Sequence, residues 1–232
     1  FKDCVTLGTV FFSKMFELFH LPEFRDSRGS LTFVEEVTHL PFEIKAVYLL
    51  AGNDIPDSIS LTAQAFIMAP KGGIMIAGET IAGIDTGLLV SSQVSLPLSV
   101  IAETVLIILS AGPISGLTPL SLPFKPRRAY FMAEIPTGKS RGNHAHFATS
   151  QMIYALQGKF DIDLDNGTTQ TTATIIEGGK PVEVQLGVWR TLYRFSSDAL
   201  CMVLASELFN PDDYISEYPE FLERRKSLSS DD

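Results

Sequence analysis

The stretch from Arg141 to Gln151, RGNHAHFATSQ, sets two histidines two residues apart inside a segment that reads as a strand. Side chains alternate across a strand, so His144 and His146 share one face and Ala145 takes the other. Paired imidazoles on a sheet face can hold a metal, move protons, or sit as satisfied polar groups in a wet pocket. The chain has only four histidines, so half of the supply stands at this one point.

Working outward, short apolar runs alternate with turn signals. Gln151 to Leu156, Lys159 to Leu164, Thr171 to Ile176, Val182 to Leu186 and Leu200 to Ser206 read as strands, and Asn166-Gly167 is a strong hairpin turn. Upstream, the turn-forming Asp26-Ser27-Arg28-Gly29 leads into a strand over Ser30 to Val37, and Pro41 to Leu50 reads as another. Many short strands with almost no helix predict an all-β protein, a sandwich or barrel of the jelly-roll kind, the double-stranded β-helix that includes the cupins. Pro211 to Lys226, capped by Asn210, reads as a short C-terminal helix or pair of turns. Leu7 to Phe19 reads as a short helix packed on the main body.

One strand type occurs twice, because Leu40-Pro41-Phe42 opens a run to Leu49 that Leu122-Pro123-Phe124 repeats up to Phe131. Between the copies, Gly52 to Ser121 changes character, with only Asp54, Asp57, Lys71, Glu79, Asp85 and Glu103 charged. A six-residue rhythm runs through it from Ile84 by Val90, Leu96 and Ala102 to Ile108. Two readings stand side by side: coils like those of hexapeptide acyltransferases, or ordinary apolar strands with an accidental period. The expected organisation is an N-terminal extension over 1–20, a jelly-roll domain over 21–51 and 122–232, and an apolar, β-rich insertion over 52–121 that is ordered rather than a linker.

A formal net charge of -9 argues against nucleic acid or an anionic membrane as partner, since either wants a basic surface. Any anionic ligand must meet a local cluster of arginines. The most apolar window, Val94 to Gly112, is broken by Pro97 and Glu103, so no membrane span is expected. Cys4 and Cys201 lack metal spacing and fit a reducing compartment, with the cytoplasm as default.

A cupin metal site needs a carboxylate a few residues after the paired histidines and a third histidine on a distant strand. Here Gln151 stands at the first position and Arg190, in Val188-Trp189-Arg190, at the second, so no metal is expected. Proton transfer needs no third ligand, only imidazoles that titrate near neutrality in an orienting pocket.

The segments FRDSRGSLTFVEEV (residues 24–37), KPRRAYF (125–131), RGNHAH (141–146), ALQG (155–158), Gly187 to Trp189 and FSSDALCMVLASELFNPDDYISEY (195–218) resemble the nucleotide-sugar 3,4-ketoisomerases. These WxcM-like, FdtA-like cupins convert dTDP-4-keto-6-deoxyglucose to its 3-keto isomer. The resemblance implies a cupin jelly roll, a homodimer, a dTDP-sugar as partner, no cofactor and a place in deoxysugar biosynthesis for surface polysaccharide. It carries over Arg28, Tyr130, Arg141, His144 and His146, with the two histidines and Tyr130 as catalytic groups. A diphosphate needs bidentate cations, for which Arg28, Arg128 and Arg141 are the candidates in this acidic chain, and Gln151 is read with them as substrate-binding. Within that assignment His146 is expected to carry the proton between carbons 3 and 4, and His144 to lie nearer the hydroxyl oxygens. Trp189 and the tail aromatics are read as core. Arg190 departs from relatives with histidine after the tryptophan, and the interrupting segment departs from the family's continuous domain. A non-catalytic sugar-nucleotide-binding cupin and a metal-dependent cupin oxygenase are the competing readings.

Overall fold

The computed structural model describes residues 16–18, 23–36, 38, 40, 43–51, 58–61, 65–68, 76–78, 94–97, 104–109 and 118–229. The chain divides into two compact units, one of residues 1–20 and 40–121, the other of residues 21–39 and 122–232. Numbered along the chain, the first unit holds β1 (Phe16–Leu18), β4 (Ala46–Ala51), β5 (Ser58–Leu61), β6 (Ala65–Met68), β7 (Ile76–Gly78), β8 (Val94–Pro97) and β9 (Thr104–Leu109). These form a five-stranded sheet, β1-β7-β6-β9-β4, and a two-stranded sheet, β5-β8, with antiparallel pairs throughout.

The second unit holds β2 (Glu23–Asp26), β3 (Gly29–Glu35), β10 (Arg128–Ala133), β11 (Arg141–His146), β12 (Gln151–Gln157), β13 (Lys159–Asp165), β14 (Gln170–Ile176), β15 (Val182–Val184), β16 (Trp189–Tyr193), β17 (Leu200–Ala205) and β18 (Tyr214–Ile215), then helix α1 (Tyr218–Ser229). Two antiparallel sheets, β15-β12-β17-β10-β3-β2 and β14-β13-β16-β11-β18, make the expected jelly roll. The sequence explains their layering. β17, LCMVLA, is buried at every position, as a central strand covered on both faces must be. β13, KFDIDLD, alternates: Phe160 and Ile162 are wholly buried, while Asp161 and Asp163 point outward and accept hydrogen bonds from Thr174 and Thr172 across β14. Phe160, Ile162, Ile153, Leu192 and Val203 join both sheets in one core. The Asn166-Gly167 turn connects β13 to β14 as expected: Asn166 Oδ1 accepts from the amides of Thr168 and Thr169, and Gly167 takes φ +90°.

Three expectations are corrected. The jelly-roll domain gives up residues 40–51, because β4 pairs with β9 of the first unit, whereas β3 takes β10 as its neighbour with Arg128 opposite Glu35. The two copies of the Leu-Pro-Phe strand look alike in sequence, and long-range pairing decides between them. Within the stretch with the hexad rhythm, β9 pairs antiparallel with β4 and β6, and β8 pairs antiparallel with β5, which is not the parallel stacking of hexapeptide coils; the rest of that stretch lies outside the described residues. Of the helix expected over 7–19, the described part, Phe16–Leu18, is a strand. At the other end Asn210 caps a 3-10 turn, Pro211–Asp213, its side chain accepting from the Asp212 amide, and α1 starts only at Tyr218. No helix among the described residues is long and apolar enough to cross a membrane.

Phe160 stacks on Phe195 at the centre of this core, with ring centroids 5.0 Å apart. Phe160→Ala leaves a cavity there and should lower the stability of the second unit by about 3–5 kcal/mol. Denaturant unfolding followed by the fluorescence of Trp189, the single tryptophan of the chain, measures this in the unit concerned.

Candidate active site

Strand β11 is aimed by a bulge. Gly142 and Asn143 take φ +83° and +57°, and the pairing with β16 shifts between Gly142 and His144, so Asn143 is an extra residue. A Cβ on Gly142 would lie 2.7 Å from the Arg190 carbonyl oxygen, so only glycine fits. Past the bulge the strand alternates as its sequence predicts. Ala145 packs with Ile215 and Phe221 on one face, and the two histidines share the other, their ring centroids 4.9 Å apart.

His144 faces a cavity of about 600 Å³ between the sheets. Tyr130, Arg128, Gln151 and Arg141 line it with His144, and Arg28 stands at its rim, so six of the seven predicted residues converge. His146 is the exception. It is buried behind His144 and is not part of the lining, so the expectation that it carries the proton does not fit this geometry. Arg190, noted in the sequence as a departure, lies wholly buried in the cavity wall and donates through Nη1 to the His144 carbonyl oxygen at 2.8 Å. At the mouth, Phe24 stacks on Phe33, and Phe209 is 56% exposed.

The electrostatics follow from burial and from Arg190. Burial, then the Arg190 charge, then His146 push the His144 pKa down to about 2, so the ring is neutral. Its Nδ1 is 2.9 Å from the Gly142 carbonyl oxygen, which fixes the proton on Nδ1 and leaves Nε2 as a lone pair. Burial and Arg190 likewise hold His146 below its ordinary value, and Asp213 opposes them. Burial raises the Tyr130 hydroxyl, which is 3.2 Å from Gln151 Nε2, so it stays protonated as a donor. The buried Arg128 Nε, Arg141 Nε and Nη2, His144 Nε2 and Gln151 Oε1 have no hydrogen-bond partner among the described residues. Arg128 reaches Glu35 only at 3.7 Å, and Arg28 is held at the rim by Asp26 through two hydrogen bonds from its guanidinium.

The residues do not form a metal site. A guanidinium and an amide stand where a third imidazole and a carboxylate would be needed, and among the described residues no cluster of three or more His, Cys, Asp or Glu is placed to hold a metal.

Asp213 is the functional residue that the sequence did not reveal. Its carboxylate accepts from the amides of Phe147 and Ala148 and from the Thr149 hydroxyl, and lies 3.0 Å from His146 Nδ1. Burial raises its pKa, but those bonds outweigh burial and the net shift is downward. The adjacent Tyr214 packs its ring 4.7 Å from His144 and 4.3 Å from His146. Only the cap at Asn210 marked this turn in the sequence, and it predicted a turn rather than a partner for β11.

The family model described as WxcM-like, C-terminal (FdtA) matches residues 14–77 and 110–226, well over half of the chain. The chain belongs to this WxcM-like family. A similar curated protein is the TDP-4-oxo-6-deoxy-α-D-glucose-3,4-oxoisomerase of Aneurinibacillus thermoaerophilus, 33% identical over 101 residues that make up 44% of this chain and 73% of that protein. Among solved structures, a 3,4-ketoisomerase from Helicobacter canadensis is 26% identical, covers 47% of this chain and 86% of its own, and gives a TM-score of 0.45. QdtA, a sugar 3,4-ketoisomerase from Thermoanaerobacterium thermosaccharolyticum solved in complex with TDP, is 26% identical, covers 48% and 85%, and gives 0.46. These relatives are isomerases by name.

Folding buries two histidines in neutral form, whereas in the unfolded chain they titrate near the ordinary value of about 6.5. Below that pH the unfolded state binds protons that the folded state refuses, so stability is complete above it and falls as the pH drops. Between about pH 6 and 5 the loss should approach 1.4 kcal/mol per pH unit for each histidine. His144→Gln should remove one of the two contributions, which unfolding at several pH values will show as a shallower slope.

Proposed function

We propose that this WxcM-like protein is a sugar-nucleotide 3,4-ketoisomerase that converts a dTDP-4-keto-6-deoxyhexose to its 3-keto isomer by acid-base proton transfer through an enediol. The observation that carries this reading is the set of unpartnered polar atoms around one cavity: a neutral imidazole nitrogen beside a protonated tyrosine and two buried arginines. In an acidic chain, arginine donors left open in a cavity suit a diphosphate, which guanidinium binds in bidentate fashion. Membership of the family, and a relative named for the same conversion, support the assignment.

His144 is the base. Its Nε2 takes the proton from carbon 3, next to the carbonyl at carbon 4, and the electron pair of that bond forms the carbon 3–carbon 4 double bond as the carbonyl oxygen becomes an enediolate. Tyr130, with Arg190 beside it, supplies the donors that stabilise this oxygen and protonate it. The proton held by His144 then goes to carbon 4, and the hydroxyl at carbon 3 returns a proton to the tyrosinate left when Tyr130 protonated the enediolate, so the carbonyl stands at carbon 3 and both side chains are restored. Nothing is oxidised or reduced overall, and the proton lost from carbon 3 reappears at carbon 4. A diphosphate on Arg128, Arg141 and Arg28 brings negative charge close to His144 and raises its proton affinity, so the nucleotide prepares its own base. Phe24 and Phe209 at the mouth offer flat faces for the nucleobase. His146, paired with Asp213, is a positioning residue that holds the ring of His144 edge-on. The homodimer and the place in deoxysugar biosynthesis belong to this proposal, and light scattering on the purified chain checks the first.

Incubation with dTDP-4-keto-6-deoxyglucose in deuterium oxide, followed by proton NMR, should show loss of the carbon 3 proton signal and appearance of the 3-keto product. His144→Asn keeps the size and one hydrogen bond but removes the base, so exchange should fall by about 100-fold or more with nucleotide binding nearly intact. Arg141→Ala should do the reverse and weaken binding first. Exchange at the parent rate in His144→Asn would reject the role given to this residue. Tight binding without any exchange would favour a non-catalytic sugar-nucleotide-binding protein.

A further inference from the structure

The Leu-Pro-Phe strand occurs twice, and each of the two segments that match the family model contains one copy. Aligning the tripeptides sets Ala46 against Arg128 and Tyr48 against Tyr130. The strands that follow keep the same order. In the first unit β7-β6-β9-β4 are neighbours in that sequence, and in the second β15-β12-β17-β10 are. The strand between β4 and β6 in the chain, β5, pairs with the strand between β7 and β9, β8; likewise β11, between β10 and β12, pairs with β16, between β15 and β17. Register agrees as well. Leu109 of β9 lies opposite both Ala46 and Ala65, and Ala205 of β17 lies opposite both Arg128 and Gln151. In each unit these are the last residue of the central strand and the first residues of its two neighbours, so the strand ends line up in the same way. Register can slip wherever nothing fixes it, so this shared alignment is not a property of sheets in general.

We infer that residues 40–121 are a second copy of the jelly-roll framework from which the site has been removed, so that the chain carries one nucleotide-sugar site and one copy emptied of chemistry. The replacements fall on the reacting positions. Register puts Ala46 in the place of Arg128 and Ala65 in the place of Gln151, and the strand in the place of β11, Ser58-Ile59-Ser60-Leu61, has no histidine. Tyr48, the counterpart of the cavity tyrosine, is wholly buried, whereas Tyr130 is half-buried and faces the cavity. A copy without arginine or imidazole at these points can neither grip a diphosphate nor move a proton. Among the described residues it also lacks counterparts of the β13–β14 hairpin and of β18. The apolar character of 52–121 then has a cause other than hexapeptide coils: it is jelly-roll strand sequence with the polar site positions lost.

The ligand in this inference rests on the function proposed above, and the framework does not, so the test has two arms on the full chain. In the first, cysteine pairs trap the shared register. Ala46→Cys with Leu109→Cys and Ala65→Cys with Leu109→Cys should each bridge on mild oxidation, and Val47→Cys with Ile108→Cys and Phe66→Cys with Ile108→Cys cover the neighbouring ladder position. Ala46→Cys with Leu106→Cys, out of register, should stay reduced in mass spectra. If the in-register pairs at both ladder positions stay reduced, or the out-of-register pair bridges, the second copy is overturned. In the other arm, calorimetry of the unmodified chain with thymidine diphosphate should give one site per chain. Two sites would overturn the loss of the site from residues 40–121. No binding at all would instead overturn the proposed function, and the trapping arm alone then decides whether the copy exists.

Discussion

A wholly buried guanidinium, that of Arg190, lies in the cavity wall of the second unit. Burial lowers its pKa, and the foremost groups acting on it are the hydroxyls of Tyr130 and Tyr214, followed by the Arg128 charge. A buried charge is costly unless it is hydrogen-bonded, and here neutral oxygens do that work, the carbonyl of His144 among them. Everything around it answers to this charge. It depresses the proton affinity of both imidazoles and draws down the hydroxyl of Tyr130 against burial. It also makes the cavity wall a place where a cation is unwelcome and an anion is favoured.

Position, not that charge, separates two histidines that look equivalent in the sequence. His144 and His146 share a strand face, but only the first reaches the cavity, while the second turns its Nδ1 to Asp213. The Asp213 carboxylate in turn pins the loop over Phe147 to Thr149, which leads from β11 into β12. One acidic side chain thus fixes a tautomer, a loop and the seat of the chain's tail. Its removal would reach the cavity through His146 and through the adjacent Tyr214, which lines it.

Much of this was legible beforehand because it depends on local pattern. Alternation in KFDIDLD, the unbroken apolar run LCMVLA and the Asn166-Gly167 turn each have one physical reading, and the strands from β12 to β17 that were read this way stand within a residue or two of it, whereas β4 begins at Ala46 rather than Pro41. The paired histidines stood out by spacing alone. Three things depend on partners distant in the chain and were hidden. Asp213 meets His146 across 67 residues, and nothing in Asn-Pro-Asp-Asp announces an imidazole. The boundary after His39 was misplaced because two copies of one strand compete for the same neighbour in the sequence, and only β3 shows which copy it joins. The bulge at Gly142-Asn143 adds an unpaired residue before His144, and a period of two cannot see an extra residue.

The division of the second unit by the first bears on how the chain is made. Strand β3 pairs with β10, and Glu36 and Arg127 at the end of that pairing are 91 residues apart. At a ribosome that adds about 5–20 residues per second, the hairpin β2–β3 waits roughly 5 to 20 s with its edge unpaired while residues 40–121 emerge. During that interval the nearest strand of matching sequence is β4, the wrong one. In the finished structure β4 is closed on β9 and β3 on β10, so the strand that β3 keeps is the later-made of two similar ones.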